Sequence, residues 1–227
     1  MSSSGKFKDA QRLQLSVLAP AEKRALLWLA ARMPKWVNSD HLTVLGLVSL
    51  AAAGLSYWYS SRNLQALHLV NLCLVLNWFG DSLDGTLARF RNRLRPRYGF
   101  YVDHVVDALG ALFLLCGLGA SGFMSATVAG GLLVVYYLLS IEVYLATYTI
   151  GSFHISFWKM GPTELRALLV IGNLYLLYRP SQTVPFLGQD FRLFDFGGAI
   201  GILGMTGMML KSTIRHTVQL YREEKLP

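Results

Sequence analysis

Charged residues and cysteines are both scarce in this sequence of 227 residues. Asp, Glu, Lys and Arg together make up 15% of the chain, whereas hydrophobic residues make up 53%. This balance excludes an ordinary soluble surface and indicates a chain embedded in lipid, with one membrane domain as the simplest organisation. The two cysteines, Cys73 and Cys116, lie inside apolar runs, which favours a packing role over a disulfide or a metal ligand.

The N-terminus also lacks an uninterrupted apolar segment of signal-peptide length, because Pro20, Glu22, Lys23 and Arg24 break it. We therefore expect no cleaved signal. The net charge of +8 raises the possibility of nucleic-acid binding, but the basic residues flank apolar stretches and do not interleave with aromatics on a polar surface. The expected partners are anionic lipids and nucleotide phosphates, and no nucleic acid.

Six apolar stretches approach the length of about 20 residues that a membrane-spanning helix needs. They are residues 41–59, 64–80, 100–119, 126–147, 163–178 and 196–209. The sequence therefore predicts an all-α membrane protein with six transmembrane helices. Before them, residues 20–33 alternate Leu and Trp with Lys and Arg at helical spacing. This pattern predicts an N-terminal amphipathic helix in the membrane interface, with an ordinary cytosolic cap helix as the alternative.

The distribution of Lys and Arg predicts the orientation, because cytoplasmic loops are enriched in these residues. With a cytoplasmic N-terminus, 18 of the 21 basic residues fall on the cytoplasmic side. We expect both termini there, which requires an even number of spans. Residues 1–38 then form a cytoplasmic or interfacial segment, and residues 39–227 form the six-helix domain with a short cytoplasmic tail. Residues 179–195 are expected to form an outer loop without recognisable chemistry.

Four aspartates lie at the ends of the second and third predicted spans, where a carboxylate is costly to bury. Asp81 and Asp84 are three residues apart, and Asp103 and Asp107 are four apart, so each pair occupies one face of a helix. The two faces can present all four carboxylates to each other. Their repulsion requires cations, and ligation by oxygen alone favours hard ions. We expect two divalent ions, Mg²⁺ first, with Mn²⁺ as a substitute.

The residues around these aspartates suit a phosphate-bearing ligand. Gly85 and Gly99 have no side chain, so a nucleotide or a neighbouring helix can approach their backbone closely. Arg89 projects from the same helical end as Asp81 and Asp84, and its planar guanidinium matches a phosphate. The alternative is that the acidic pairs only balance the arginines that follow.

The whole pattern reads Asp81-x-x-Asp84-Gly85-x-x-Ala88-Arg89, then nine residues, then Gly99-x-x-x-Asp103-x-x-x-Asp107. It resembles the signature of the CDP-alcohol phosphotransferases of phospholipid synthesis. These enzymes move a phospho-alcohol group from a CDP-linked donor to an acceptor hydroxyl and release CMP. The gap of nine residues is slightly longer than the usual spacing. It leaves both aspartate faces unchanged and affects the details of phosphate contact.

The resemblance implies a polar cavity open to the cytoplasm, a homodimer, and two divalent metals held by the four aspartates. Asp107, one turn deeper than Asp103, would also accept the proton of the acceptor hydroxyl. The CDP site would be lined by Gly85, Ala88, Arg89 and Gly99, and by Asn38 and Thr43 at the start of the first span. Capping of that helix is the alternative role for the last two. The membrane would be the bacterial inner membrane or the endoplasmic reticulum, according to the organism.

The alcohol is less well defined by the sequence. His104 and residues 161–164 are similar to features of choline and ethanolamine phosphotransferases, which use CDP-choline or CDP-ethanolamine and diacylglycerol. The short six-span form is instead typical of enzymes that consume CDP-diacylglycerol. Our candidates for acceptor or head-group contact are His104, Glu142, Lys159, Glu164 and Arg166. The alternatives are a structural hydrogen bond for His104 and a pairing with a neighbouring span for Glu142.

A second class of protein also fits a carboxylate-lined six-span bundle, namely a divalent-metal or proton-coupled transporter. Transport would predict broken helices near the membrane midplane and inverted repeats. The four acids instead lie near one face of the predicted bundle, beside arginines that suit phosphate. The sequence therefore favours an enzyme.

Overall fold

The computed structural model describes residues 19–150, 162–179, 183–186 and 188–224. In chain order the described elements are α1 (Ala19–Arg32), α2 (Ser39–Ser60), α3 (Ala66–Phe90), α4 (Pro96–Ala120), α5 (Ala126–Ile150), α6 (Pro162–Tyr178), β1 (Thr183–Phe186), β2 (Gln189–Arg192) and α7 (Leu193–Glu223). The described part of the chain is thus built almost wholly from helices, as predicted.

Five of the described helices are long and apolar enough to cross a membrane, namely α2, α3, α4, α5 and α7. The fifth predicted span, residues 163–178, coincides with α6, which has only 17 residues. At 1.5 Å per residue this helix covers about 26 Å, which is shorter than a hydrocarbon core of roughly 30 Å. Length and composition therefore support five spans in the described part of the chain, one fewer than predicted.

Two elements differ from the sequence-based expectation. The predicted outer loop of residues 179–195 contains an antiparallel hairpin in which Thr183 pairs with Arg192 and Phe186 with Gln189. Gly188 in its turn has a φ of 78°, a conformation that glycine adopts without steric cost. The helix α7 continues to Glu223, well beyond the predicted end at residue 209, because its later turns are helical but too polar for a hydropathy-based span.

The helix α2 packs against both α3 and α4, and glycines allow these close crossings. A Cβ atom on Gly117 of α4 would overlap the backbone of Gly54 on α2, and one on Gly80 of α3 would overlap the backbones of Leu42 and Gly46. Small residues at such crossings are typical of membrane helices, whose association depends on close packing. The crossings hold the acidic faces of α3 and α4 beside α2.

The helix α1 begins and ends close to the predicted amphipathic segment. It buries Leu26 and Ala30 in a cluster with Leu83 and Leu87 of α3, so it is docked on the bundle. Trp28 lies on another side of α1 and is 55% exposed. Apolar side chains therefore occur on both the packed and the exposed sides of α1, and its location in the membrane interface stays a prediction.

A chain of polar side chains links three helices inside the larger hydrophobic cluster. The Tyr57 hydroxyl of α2 donates to Oδ1 of Asn173 on α6 over 2.8 Å. The amide nitrogen of Asn173 then donates to Oδ1 of Asn71 on α3, also over 2.8 Å. Tyr57 and Asn173 are completely buried. Buried polar groups need such partners, so this chain fixes how α2, α3 and α6 pack together.

Candidate active site

The four motif aspartates line one cavity between α2, α3 and α4. The side of α3 supplies Asp81 and Asp84, and that of α4 supplies Asp103 and Asp107. The structure therefore brings together the four carboxylates whose helical spacing predicted a shared site. The remaining lining residues are Thr43, Gly46 and Leu50 of α2, Asn77 of α3 and Val106 of α4.

The buried carboxylate of Asp84 is held by α2 and by its own backbone. The Thr43 hydroxyl lies 2.7 Å from its Oδ2 atom, and the Gly85 amide nitrogen lies 2.5 Å from its Oδ1 atom. Asp84 is only 7% exposed, so these bonds offset part of the cost of burying it. Thr43, predicted to contact the nucleotide, therefore orients an aspartate in this structure.

The carboxylate of Asp81 forms an ion pair with Arg166 of α6. The Nη2 atom of Arg166 lies 2.5 Å from Oδ2 of Asp81. The other terminal nitrogen of Arg166, Nη1, is buried without a hydrogen-bond partner among the described residues. This guanidinium was predicted to contact the acceptor or head group. It lies at the edge of the aspartate cluster, where its remaining donors can face a bound phosphate.

The two aspartates of α4 differ in accessibility. Asp103 is half-buried, whereas Asp107 is exposed, so Asp107 is the more accessible of the two. Tyr136 and Tyr144 of α5 are electrostatic neighbours of Asp107. The helix α5 therefore approaches the site on the side of Asp107, although it contributes none of the residues that line the cavity.

The residues predicted to line the CDP site lie at the ends of α3 and α4. Arg89 is exposed, and its guanidinium lies over Gly85, with Nη2 at 3.7 Å from the place where a Cβ atom would be. Ala88 is half-buried beside it. No described atom lies within 4 Å of a Cβ atom placed on Gly99. The described residues thus leave open space next to Gly99, and no neighbouring helix packs there.

Asn38 and His104 make local hydrogen bonds that correspond to their structural alternatives. Asn38 is the N-cap of α2, and its Oδ1 atom accepts from the His41 amide over 3.0 Å. The Nδ1 atom of His104 lies 2.5 Å from the Phe100 carbonyl oxygen. The imidazole ring is flanked by Phe100 and Tyr144, at centroid distances of 4.0 and 4.6 Å. Because a carbonyl can only accept, Nδ1 of His104 is the donor in this hydrogen bond.

The other head-group candidates lie on α5, on α6 and outside the described residues. Glu142 of α5 pairs with His216 of α7 over 2.7 Å, which is the alternative role considered for it. Glu164 lies in the first turn of α6, two residues before Arg166. Lys159 lies outside the described residues. The contact between Glu142 and His216 joins two helices that are long enough to span a membrane and contributes to packing between α5 and α7.

Four cavity-lining residues were missed by the sequence reasoning, namely Gly46, Leu50, Asn77 and Val106, and two of them form a hydrogen bond between α2 and α3. The amide nitrogen of Asn77 donates to the Gly46 carbonyl oxygen over 3.0 Å, and its Oδ1 atom is buried without a partner in the described part of the chain. Asn77 lies four residues before Asp81, on the same helical face, so its position could have been found. Gly46 lacked a local signal, because its role depends on the crossing with α3.

The donor atoms of this cavity suit a hard divalent cation. Four carboxylates, the Thr43 hydroxyl and the orphaned Oδ1 atom of Asn77 are all oxygen ligands of the kind that Mg²⁺ prefers. Among the described residues, no three carboxylate, imidazole or thiol groups are close enough together to hold an ion as they stand. The chemistry of the residues therefore fits the metal, while binding would require their side chains to converge.

These features define a helical membrane protein with an acidic cavity and arginines at one end of its spans. Residues 36–208 match the profile of the CDP-alcohol phosphatidyltransferases, and the chain belongs to this family. It is also similar to cholinephosphotransferase 1 of Danio rerio, with 27% identity over 206 residues that cover 83% of this chain and 50% of the relative. The chain thus spans about half the length of that relative.

Proposed function

We propose that this protein transfers a phospho-alcohol group from a CDP-linked donor to an acceptor hydroxyl during phospholipid synthesis and releases CMP. The observation that carries the proposal is that all four motif aspartates line one cavity. The membership of the chain in the CDP-alcohol phosphatidyltransferase family supports the same reaction.

In this proposal, the arginines bind the phosphates of the donor. Arg89 is exposed above Gly85, where its planar fork can bind the diphosphate from the open side of the cavity. Arg166 orients Asp81 through their ion pair and directs its remaining N–H groups towards the same ligand. Gly85, Ala88 and Gly99 leave room for the cytidine part of the donor. Asn38 supports this side by capping α2.

Asp107 is the proposed general base. Its exposed carboxylate accepts the proton of the acceptor hydroxyl, and the hydroxyl oxygen then attacks the distal phosphorus of the donor. The new phosphorus–oxygen bond forms as the bond to CMP breaks, and CMP leaves with the electron pair. The imidazole of His104, held between Phe100 and Tyr144, lies one residue from Asp103 and is proposed to contact the head group or the acceptor.

Asp81, Asp84, Asp103 and Asp107 are the residues that would hold two divalent ions, Mg²⁺ or alternatively Mn²⁺. When bound, such ions would neutralise the charge that develops on the leaving phosphate. The protein's own contribution is to line one cavity with the four carboxylates. Within this cavity, the Thr43 hydrogen bond orients Asp84 and the Arg166 ion pair orients Asp81.

We propose a CDP-linked amino alcohol, CDP-choline or CDP-ethanolamine, as the first donor to test, with diacylglycerol as the acceptor. The similarity to a cholinephosphotransferase supports this order, as do His104 and Glu164. CDP-diacylglycerol with a polar alcohol acceptor is the second choice. Lys159, Glu164 and Arg166 remain candidates for contact with the acceptor or head group.

The proposed arrangement in the membrane has six spans, with α6 as the short sixth one, both termini and the active site in the cytoplasm, and pairing into homodimers. The excess of Lys and Arg on the proposed cytoplasmic side supports the orientation. The transporter alternative predicts interrupted helices, whereas α3 and α4 are continuous from Ala66 to Phe90 and from Pro96 to Ala120. The acidic cavity at the ends of continuous helices favours the transferase.

The test is an assay of the purified protein in lipid vesicles. CDP-choline, CDP-ethanolamine and CDP-diacylglycerol are offered separately, each with a panel of acceptors, and CMP release is measured together with the lipid product. We expect CMP and a new phospholipid with one of the CDP-amino alcohols and diacylglycerol. Absence of CMP release with all three donors, from protein that is folded in the vesicles, would contradict the proposed function.

A further inference from the structure

A single carboxylate of α1 joins three helices beside the aspartate cavity. The Oε1 atom of Glu22 accepts hydrogen bonds from Nε1 of Trp78 over 2.9 Å, from the Ser82 hydroxyl over 3.2 Å and from the Thr163 hydroxyl over 2.8 Å. Trp78 and Ser82 belong to α3, and Thr163 lies at the start of α6. Glu22 therefore connects α1 to both α3 and α6.

The three donors lie next to residues of the active site. Ser82 directly follows Asp81, and Thr163 precedes Arg166 by three residues, on the same face of α6. In the first two turns of α6, two polar contacts of the described residues attach this face to α1 and α3. Thr163 donates to Glu22, and Arg166 pairs with Asp81. Both contacts therefore act on the same short stretch of α6, one turn apart.

We infer that Glu22 is a positioning residue, which fixes the first turn of α6 so that Arg166 can orient Asp81. This inference rests on the proposed function, because it assigns Glu22 a part in donor binding through Arg166. A carboxylate that accepts three hydrogen bonds is a stronger anchor than a neutral acceptor. Apolar packing by Leu26 and Ala30 already docks α1 on α3. This packing does not involve α6, so the hydrogen bond from Thr163 to Glu22 needs a separate explanation.

Separate variants test the connection of Glu22 to α6 and its connection to α3. Thr163→Val removes the link to α6 and preserves side-chain shape, whereas Trp78→Phe removes a link to α3 and preserves most of the ring. Glu22→Ala removes all of them. Lys23→Ala is a matched control, because Lys23 is the exposed neighbour of Glu22 on the same helix. If Glu22 acts through α6, Thr163→Val should raise KM for the CDP donor as much as Glu22→Ala does. Trp78→Phe should then leave KM as close to the wild-type value as Lys23→Ala does.

The experiment measures KM for the CDP donor, kcat and thermal unfolding in vesicles for these variants, for Arg166→Ala and for the double variant Glu22→Ala with Arg166→Ala. We expect Glu22→Ala and Thr163→Val to raise KM roughly tenfold, since a small misplacement of a binding group has effects of this size or larger. In the Arg166→Ala background, Glu22→Ala should change KM less than twofold, because the group that it positions is gone. Effects that multiply in the double variant would overturn the inference.

A second measurement does not depend on activity. Amide hydrogen exchange of residues 166–169, whose N–H groups bond the carbonyls of the first turn of α6, should be faster in Glu22→Ala and Thr163→Val than in Lys23→Ala or Trp78→Phe. Unchanged exchange in both of the first two variants would overturn the inference even if the enzyme is active. A wild-type protein that releases no CMP from any donor would instead contradict the proposed function. The exchange result then decides whether Glu22 positions α6.

Discussion

The hydroxyl group of Thr43 lies 2.7 Å from Oδ2 of Asp84 and joins α2 to α3 at the wall of the acidic cavity. Asp84 is the most enclosed of the four motif aspartates, and within the described part of the chain no basic side chain forms an ion pair with it. Its orientation therefore depends on neutral hydrogen-bond donors. Because Thr43 belongs to α2, a shift of α2 would move Asp84 and change the site proposed for the CDP-linked substrate.

Replacing Thr43 tests this dependence. Thr43→Val keeps the shape of the side chain but leaves Oδ2 of Asp84 without this donor, which should destabilise the fold by about 1–3 kcal/mol and raise KM for the CDP donor. Thr43→Ser retains the hydroxyl and should stay close to wild type. Thermal unfolding and steady-state kinetics measure the two effects. Equal unfolding temperatures and equal KM values for the Val and Ser variants would show that this hydrogen bond contributes neither to stability nor to binding of the CDP donor.

The arginines after the motif are expected to differ in function. Arg89→Ala should reduce kcat/KM for the CDP donor by roughly 10²-fold, because charge-assisted hydrogen bonds to the diphosphate, each worth about 1.5–3 kcal/mol, are lost. Arg95 forms an exposed ion pair with Asp40 and lies over the Tyr98 ring at 4.1 Å, so Arg95→Ala should have a mild effect. Arg93→Ala is expected to be mild as well. Similar losses in all three variants would contradict this division.

Metal dependence follows from the oxygen-rich donor set of the cavity. Chelation of divalent ions should abolish CMP release, and Mg²⁺ or Mn²⁺ should restore it. Added Mg²⁺ should also raise the unfolding temperature of the wild type, since a ligand that binds only the folded state stabilises it. Asp84→Ala should lose most of this thermal shift. Full activity in excess chelator would contradict the proposed metal site.

The buried polar chain of Tyr57, Asn173 and Asn71 is expected to support stability and not catalysis. Tyr57→Phe leaves Oδ1 of Asn173 buried without this partner, which should cost about 1–3 kcal/mol of unfolding free energy. The chain lies in the hydrophobic cluster and contributes none of the residues that line the aspartate cavity. KM and kcat of the folded Tyr57→Phe protein should therefore match the wild type. A lower unfolding temperature with normal kinetics is the predicted result.

Local periodicity was sufficient to predict much of the site. The spacing of Asp81 with Asp84, and of Asp103 with Asp107, defines helix faces whatever the surrounding structure is. The apolar stretches predicted all the described helices that are long enough to cross a membrane, because hydropathy depends on local composition. The end of α7 was missed for the same reason. Hydropathy reports where apolar residues stop, and the helix continues through polar turns to Glu223.

Contacts between distant segments could not be predicted in this way. The pairing of Arg166 with Asp81 and the hydrogen bonds from Trp78, Ser82 and Thr163 to Glu22 join residues that are far apart in the sequence. They depend on how α1, α3 and α6 pack, which local sequence patterns do not reveal. The hairpin between α6 and α7 was missed because its strands have only four residues each, too few for a clear alternating pattern.

The central claim is that the aspartate cavity carries out phospho-alcohol transfer, with Asp107 as the base. The most direct measurement compares wild type and Asp107→Asn, using calorimetry for donor affinity with Mg²⁺ and single-turnover CMP release with the donor saturating. We predict that Asp107→Asn binds the donor with modestly reduced affinity and releases CMP roughly 10²–10⁴-fold more slowly, since an amide cannot accept the hydroxyl proton. Near-normal single-turnover release by Asp107→Asn would contradict the claim.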